Sequence, residues 1–384
     1  MNAFTPQLKP ARLYWIDIMK GLLILWIAFF HFFSAYSSGR YPWPLNSASF
    51  PSFLSNCAPA SFPDYVCCIV EGVVAAIFQR GPQAVSVFIV LSGFSLTYAL
   101  LKQGAHQPGW RQWYTARLLR LFPLYWAAHL IYVISPFVLP GDALDYRFVL
   151  SLLGDRVWPV DTMFYYLNPS WWFFGLLLEL YIVFPVLFRL LQKTGPVKYF
   201  VLCCVITISS RYLLVNVLHA HGNFIQGAFF GARLWEFAEG MALAQLFQQR
   251  PEALEKYLFS LPVLLSGIIL YVLGGYSYQP GFSSTMTDGL IGTGLFIMVA
   301  HAARVSGRVP ALKFMLSAAG IYSYGIYLLH HPYVLYFGER LRGSTMLMFV
   351  ISASVLIAII STAALFIERF VNRFASLKPR EICL

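Results

Sequence analysis

About ten apolar stretches, each near the length a bilayer demands, leave this chain little freedom to fold in water. A helix that crosses the hydrocarbon core needs roughly 20 mostly apolar residues. The stretches cover approximately residues 13–35, 82–101, 117–139, 171–192, 197–218, 226–247, 258–276, 285–303, 314–336 and 345–367. Only 11% of the residues are charged, against about 25% in soluble domains, so lipid is the main solvent. In lipid each backbone polar group must be satisfied inside the chain, and an α-helix does this segment by segment. The expected fold is all-α: a polytopic transmembrane bundle of about ten spans. With no internal repeat or low-complexity tract, residues 1–384 read as one membrane-embedded domain without a separate soluble domain.

The first stretch follows Lys9 and Arg12, contains Asp17, Lys20 and His31, and lacks a small-residue cleavage site. It therefore reads as a retained helix rather than a cleaved signal. The net charge of +11 would suggest nucleic acid in a soluble protein. Here the basic residues lie at span ends, which points to topology and anionic lipid instead. One set of connections holds Lys102, Arg111 and Arg117, then Arg189, Lys193 and Lys198, Arg250 and Lys256, Arg304, Arg308 and Lys313, and finally Arg373, Lys378 and Arg380. The alternate set is sparser, except for Arg340 and Arg342, and its 140–170 connection carries Asp142, Asp145, Asp155 and Asp161. The positive-inside rule then places both termini in the cytoplasm.

Residues 68–78, apolar but short and interrupted by Glu71, fit a re-entrant or interfacial piece. Around Trp158, Phe164, Tyr165 and Tyr166 the aromatics form either a sugar-stacking surface or an interfacial belt. Cys57, Cys67 and Cys68 lie in the first long outer loop, where an oxidising compartment permits a disulfide of undecided pairing. Cys203 and Cys204 read as packing residues within an apolar run.

Ionisable residues inside spans are costly unless paired or wet, so each is a candidate for function. Lys20 and His31, eleven positions apart, share a helix face and stand about 16 Å apart along the axis. Asp17 lies one turn before Lys20 and can pair with it. His31 reads either as a reactive imidazole or as a satisfied bundle histidine. Arg117 and Arg120 place two guanidiniums on one face at the cytoplasmic mouth of the third span, and Pro123 kinks or breaks the helix a turn deeper. Such forks suit a phosphate ester, although a positive-inside anchor has the same appearance. Glu179, in SWWFFGLLLELYIVFP, needs a partner or a proton, and an ion pair with a first-helix residue is the alternative to a functional role. Tyr327, His330 and His331 form a polar stripe on the ninth span, whose end Pro332 distorts. Gly93 permits close helix approach, and Ser92 beside it reads as a backbone-bonded helix serine. The sequence contains no phosphate-binding Gly-rich loop, no HExxH, no GxSxG, no EF-hand loop and no voltage-sensor arginine ladder.

Taken together, these segments resemble the acyltransferase 3 family of polytopic membrane acyltransferases over nearly the whole chain. ARLYWIDIMKGLLILWIAFFH is similar to the family's opening of a basic residue, ten residues and a histidine, with Lys20 where arginine is usual. GPQAVSVFIVLSGFSLTY, RLLRLFPLYW, WWFFGLLLELYIVFP, IYSYGIYLLHHP and LFIERF match five further stretches, with Phe370 standing where proline is common. The resemblance implies transfer of an acyl group, often acetyl, from cytoplasmic acyl-CoA to a hydroxyl of a cell-envelope glycan or lipid-linked sugar, in the inner membrane of a bacterium. Acyl-CoA would be a co-substrate, with no permanently bound cofactor or metal and no nucleic acid. The transfer would be completed within the membrane domain or passed to a separate extracytoplasmic partner.

The residues fit that chemistry. Imidazole can act as base or nucleophile in acyl transfer, which gives His31 that role and makes Glu179 its orienting or proton-shuttling carboxylate. Lys20, Arg117 and Arg120 would hold the CoA phosphates, with Asp17, Ser92, Tyr327 and His330 in support. The alternative function is a proton-coupled transporter or flippase of envelope precursors, in which His31, Glu179 and His330 form a proton relay. A bundle that has lost its activity and serves as scaffold or sensor is the other alternative.

Overall fold

The computed structural model describes residues 13–57, 61–104, 107–135, 144–220, 222–277 and 281–374. Lys9, Arg12, Asp142, Lys378 and Arg380, used above for topology, lie outside them. Among the described residues sixteen α-helices run in chain order: α1 Tyr14–Ser37, α2 Phe50–Cys57, α3 Phe62–Gln79, α4 Ala84–Leu101, α5 Trp110–Ile134, α6 Tyr146–Leu152, α7 Val160–Met163 and α8 Trp172–Thr194, followed by α9 Pro196–Tyr212, α10 Leu234–Gln249, α11 Pro251–Leu258, α12 Leu261–Tyr276, α13 Thr287–Ser306, α14 Pro310–Ile321, α15 Ser323–Arg340 and α16 Met346–Phe374. The described residues contain no strand.

Among the described residues, each of the ten apolar stretches is mostly helical. Among the described residues, six segments can cross a membrane by length and apolarity, or up to eight if each of two bent helix pairs counts as one span. The shortfall has a physical cause: α5 carries Arg111, Arg117 and Arg120, and α10 is only 16 residues long and holds Glu236 and Glu239. The bent pairs are α11 with α12, at 60°, and α14 with α15, at 82°. The ninth stretch is therefore two helices rather than one straight span.

Residues 68–78 are not a separate re-entrant piece. They belong to α3, which passes through a single 3-10 turn, Gly81–Gln83, into α4, and α3 and α4 together meet the crossing criterion as one unit. Glu71 does not interrupt this helix because its carboxylate is partly exposed and meets Arg40 at 3.5 Å and the Tyr41 hydroxyl at 3.2 Å. Cys57 and Cys68 form the disulfide, which ties α2 to α3 and leaves Cys67 free and exposed. Cys203 is buried in the core, in keeping with a packing role.

The central helix is α1, packed against α3, α4, α13, α14, α15 and α16. Two crossings bring backbones into contact. A methyl group on Gly93 of α4 would collide with the Phe237 carbonyl, and one on Gly240 of α10 with the Val90 carbonyl. Likewise, Gly21 of α1 lies against the Leu316 carbonyl, and Gly320 of α14 against that of Asp17. Lipid supplies no hydrophobic drive between helices, so close van der Waals approach through small residues holds such pairs. At the periphery, α9 and α16 turn Val201, Val205, Ile351, Val355 and Ile359 outward.

Candidate active site

The site is built where α1, α15 and the start of α8 meet. His31, on α1, is half-buried as a residue. The ring lies 4.4 Å, centroid to centroid, from that of His331 and 5.3 Å from that of His330, both buried on α15. Its Nε2 is 3.4 Å from the Ser170 hydroxyl. Phe30 flanks the imidazole at 4.7 Å and in turn meets the half-exposed Trp43, which marks the approach from the α1 C-terminal side.

Proline chemistry explains why α8 begins here. Pro332 lies inside α15 rather than distorting its end, and the helix continues to Arg340. A proline lacks the N–H that would bond the carbonyl four residues earlier. That carbonyl, on Leu328, instead accepts from Trp171 Nε1 at 3.0 Å and Asn168 Nδ2 at 3.3 Å. Asn168 also caps the turn by accepting from the Ser170 amide at 2.9 Å. Tyr327 adds a second tie: its hydroxyl donates to the Ser170 carbonyl at 2.8 Å and accepts from the Phe174 amide at 3.1 Å. The polar stripe expected on the ninth stretch thus exists, and it positions Ser170 against His31. Pro123, likewise, sits within an unbroken α5.

The His330 ring has a defined tautomer. Its Nδ1 lies 3.0 Å from the carbonyls of both Ile326 and Tyr327, so that nitrogen carries the proton and Nε2 presents a lone pair. Among the described residues Nε2 is buried without a hydrogen-bond partner.

The other expected residues are placed apart. Glu179 lies nine positions beyond Ser170 on α8, about 13 Å along the axis, and its Oε2 accepts the Phe230 amide at 2.7 Å. No hydrogen bond joins it to His31, and its partner is a backbone amide rather than a cation of the first helix. Arg117 is buried with its guanidinium over the Trp113 ring at 5.6 Å, while Arg120 is exposed. Both lie within electrostatic reach of Tyr181, and Arg120 within reach of Glu368. Ser92 donates to the Phe88 carbonyl at 2.8 Å, the backbone-bonded role expected of it. On α1, Asp17 is buried and Lys20 is half-buried. The four outer aromatics do not share one surface: Trp158 and Tyr165 are exposed, whereas Phe164 and Tyr166 are core residues, Phe164 stacked on Trp172 at 5.7 Å.

Several polar residues were not singled out by sequence. Ser170 looked only like the aqueous start of a span. Glu368, inside LFIERF, is half-buried, with its inaccessible Oε2 beside Gly325. Arg156, a loop charge in sequence, is 1% exposed, donates to the Tyr166 carbonyl at 2.8 Å and faces the Trp171 ring. A buried network joins four helices: Arg211 and Arg233 meet Asp288 Oδ2 at 2.6 and 2.8 Å, while Arg233 reaches Glu236 at 3.1 Å and Ser86 at 2.9 Å. These residues carried the same signal as Glu179, an ionisable group within an apolar stretch.

Comparison with known proteins bears on this arrangement. A family model described as an acyltransferase domain matches residues 13–366. The chain belongs to this acyltransferase 3 family. Acyltransferase MdmB of Streptomyces mycarofaciens is 26% identical over 290 residues, covering 70% of this chain and 71% of that protein. No solved structure matches the chain significantly. The chain is thus an integral, multi-pass membrane protein of an acyltransferase family, and the histidine trio lies inside the matched region.

Proposed function

We propose that this protein is a membrane O-acyltransferase of a bacterial inner membrane. It moves an acyl group, acetyl in the first instance, from cytoplasmic acyl-CoA to a hydroxyl of an envelope glycan or lipid-linked sugar. The observation that carries the proposal is the clustering of the His31 imidazole with two buried histidines and the Ser170 hydroxyl in a chain of this family. An acceptor hydroxyl gives its proton to His31 as its oxygen bonds the thioester carbonyl carbon. The C–S bond then breaks, and the imidazolium returns the proton to the departing thiolate, so the enzyme is regenerated. Lys20, Arg117 and Arg120 bind the CoA phosphates, with about ten spans and both termini cytoplasmic. Glu179 serves as a proton acceptor deeper in the bundle, since the geometry does not let it orient His31 directly.

The test uses purified protein in lipid nanodiscs with radiolabelled acetyl-CoA and an envelope glycan fraction. Wild type is expected to move label to the glycan, and His31→Ala to abolish transfer at an unchanged melting temperature. Retention of most activity by that variant overturns the assignment, and wild-type protein that moves no label returns the chain to the transporter reading. Arg117→Ala with Arg120→Ala should weaken acetyl-CoA binding; unchanged affinity leaves the pair as topology anchors.

A further inference from the structure

A cavity of about 310 Å³ opens at the end of the bundle where α1 begins, between that terminus, the last turn of α13 and the first turns of α14. Arg304, Arg308 and Lys313 line it, with Tyr14 and Trp15 as aromatic walls and Ile18 in the apolar floor. No carboxylate is among the lining residues. The Lys313 ammonium lies 4.4 Å from the centroid of the Tyr14 ring, and the Arg304 guanidinium lies 4.4 Å from that of Phe259, so two of the cations are positioned by aromatic faces. Three cations line one concavity that none of the proposed catalytic or CoA-binding residues lines.

We propose that this cavity binds the phosphate headgroup of an anionic phospholipid. What surrounds the mouth favours a lipid. Because α14 is bent by 82° from α15, its exposed Leu312, Phe314 and Met315 continue the rim as an apolar surface, joined by Val305 and Val309. A free phosphate would have no use for that surface, whereas a lipid lays its acyl chains on it while its headgroup meets the cations. Basic pockets between helix ends commonly hold anionic headgroups in this manner.

The experiment compares wild type with Arg304→Gln/Arg308→Gln/Lys313→Gln and with a charge-retaining Arg304→Lys/Arg308→Lys variant. Each is purified in a neutral detergent and titrated with dioctanoyl-phosphatidylglycerol or dioctanoyl-phosphatidylcholine. Bound lipid is counted by native mass spectrometry, and melting temperature is followed. Wild type should retain phosphatidylglycerol in preference to phosphatidylcholine, with a salt-sensitive rise in melting temperature. At about fivefold per cation, the triple variant should bind about a hundredfold more weakly, and the charge-retaining variant should stay within a few-fold of wild type. Equal retention of both lipids by wild type, or undiminished phosphatidylglycerol binding by the triple variant, overturns the proposal. So does displacement of phosphatidylglycerol from wild type by desulfo-CoA, which would assign the cavity to a soluble nucleotide phosphate. Should the triple variant fail to fold, loss of wild-type selectivity at 0.5 M salt, where screening shortens to a few Å, supports the headgroup contact, and persistence of selectivity sinks it.

Discussion

The proposed activity turns on a single imidazole, that of His31, whose ring meets those of His330 and His331 at 5.3 and 4.4 Å. Removing a general base typically costs 10²- to 10⁴-fold in rate, so His31→Ala is expected to lower kcat by about 10³-fold in the labelled-acetyl assay. Ser170→Ala should cost less, about fivefold, since a hydrogen bond at 3.4 Å is long and an ordinary one contributes about 1 kcal/mol net. Glu179→Gln separates two roles for that carboxylate. The glutamine oxygen can still accept the Phe230 amide, so the melting temperature should hold, while a proton acceptor is lost and kcat should fall. An unchanged kcat would leave Glu179 as a structural tie between α8 and the segment leading to α10. Sequence alone marked His31 and Glu179 as ionisable residues within apolar stretches. It could not mark Ser170, because a serine at the wet end of a helix is unremarkable until Tyr327 and Asn168 are seen to hold it against the imidazole.

At the scale of elements, the site depends on a broken hydrogen-bond ladder. In an ordinary helix interior, replacing proline with alanine returns about 3 kcal/mol. Pro332→Ala is expected to return far less, since the new N–H would compete with Trp171 and Asn168 for the Leu328 carbonyl and loosen the start of α8. Thermal unfolding in nanodiscs checks this, and a rise in melting temperature with undiminished activity would contradict it. The α4–α10 crossing makes an opposite demand, for the absence of a side chain. Gly240→Leu would force the two backbones apart against the Val90 carbonyl, and overpacking of this kind costs about 1–3 kcal/mol or more. The expected result is a lower melting temperature together with a loss of activity. Gly93 was legible as a close-approach residue, but its partner Gly240, 147 positions later, was not, because periodicity describes a helix face without naming what packs on it.

Cytoplasmic termini, expected from the charges, place the α2–α3 cap outside, and its exposed Cys67 makes that orientation measurable. In a Cys383→Ser background, Cys67 should react with a membrane-impermeant maleimide on intact spheroplasts. Labelling only after lysis would invert the topology. Reducing the Cys57–Cys68 bond should destabilise this cap by about 2–4 kcal/mol while leaving the histidine trio in place. The amino-acid sequence by itself determined that the chain is helical and membrane-embedded, where its apolar segments run, and which family it belongs to. Those properties follow from solvent, backbone satisfaction and residue order, each of which is local. Only the tertiary structure decided that α14 and α15 meet at 82°, that Glu179 pairs with an amide rather than a cation, and that Arg211 and Arg233 pair with Asp288, and Arg233 with Glu236, across the bundle. A buried charge or a freed carbonyl finds its partner by proximity in space, and helices distant in sequence supply it.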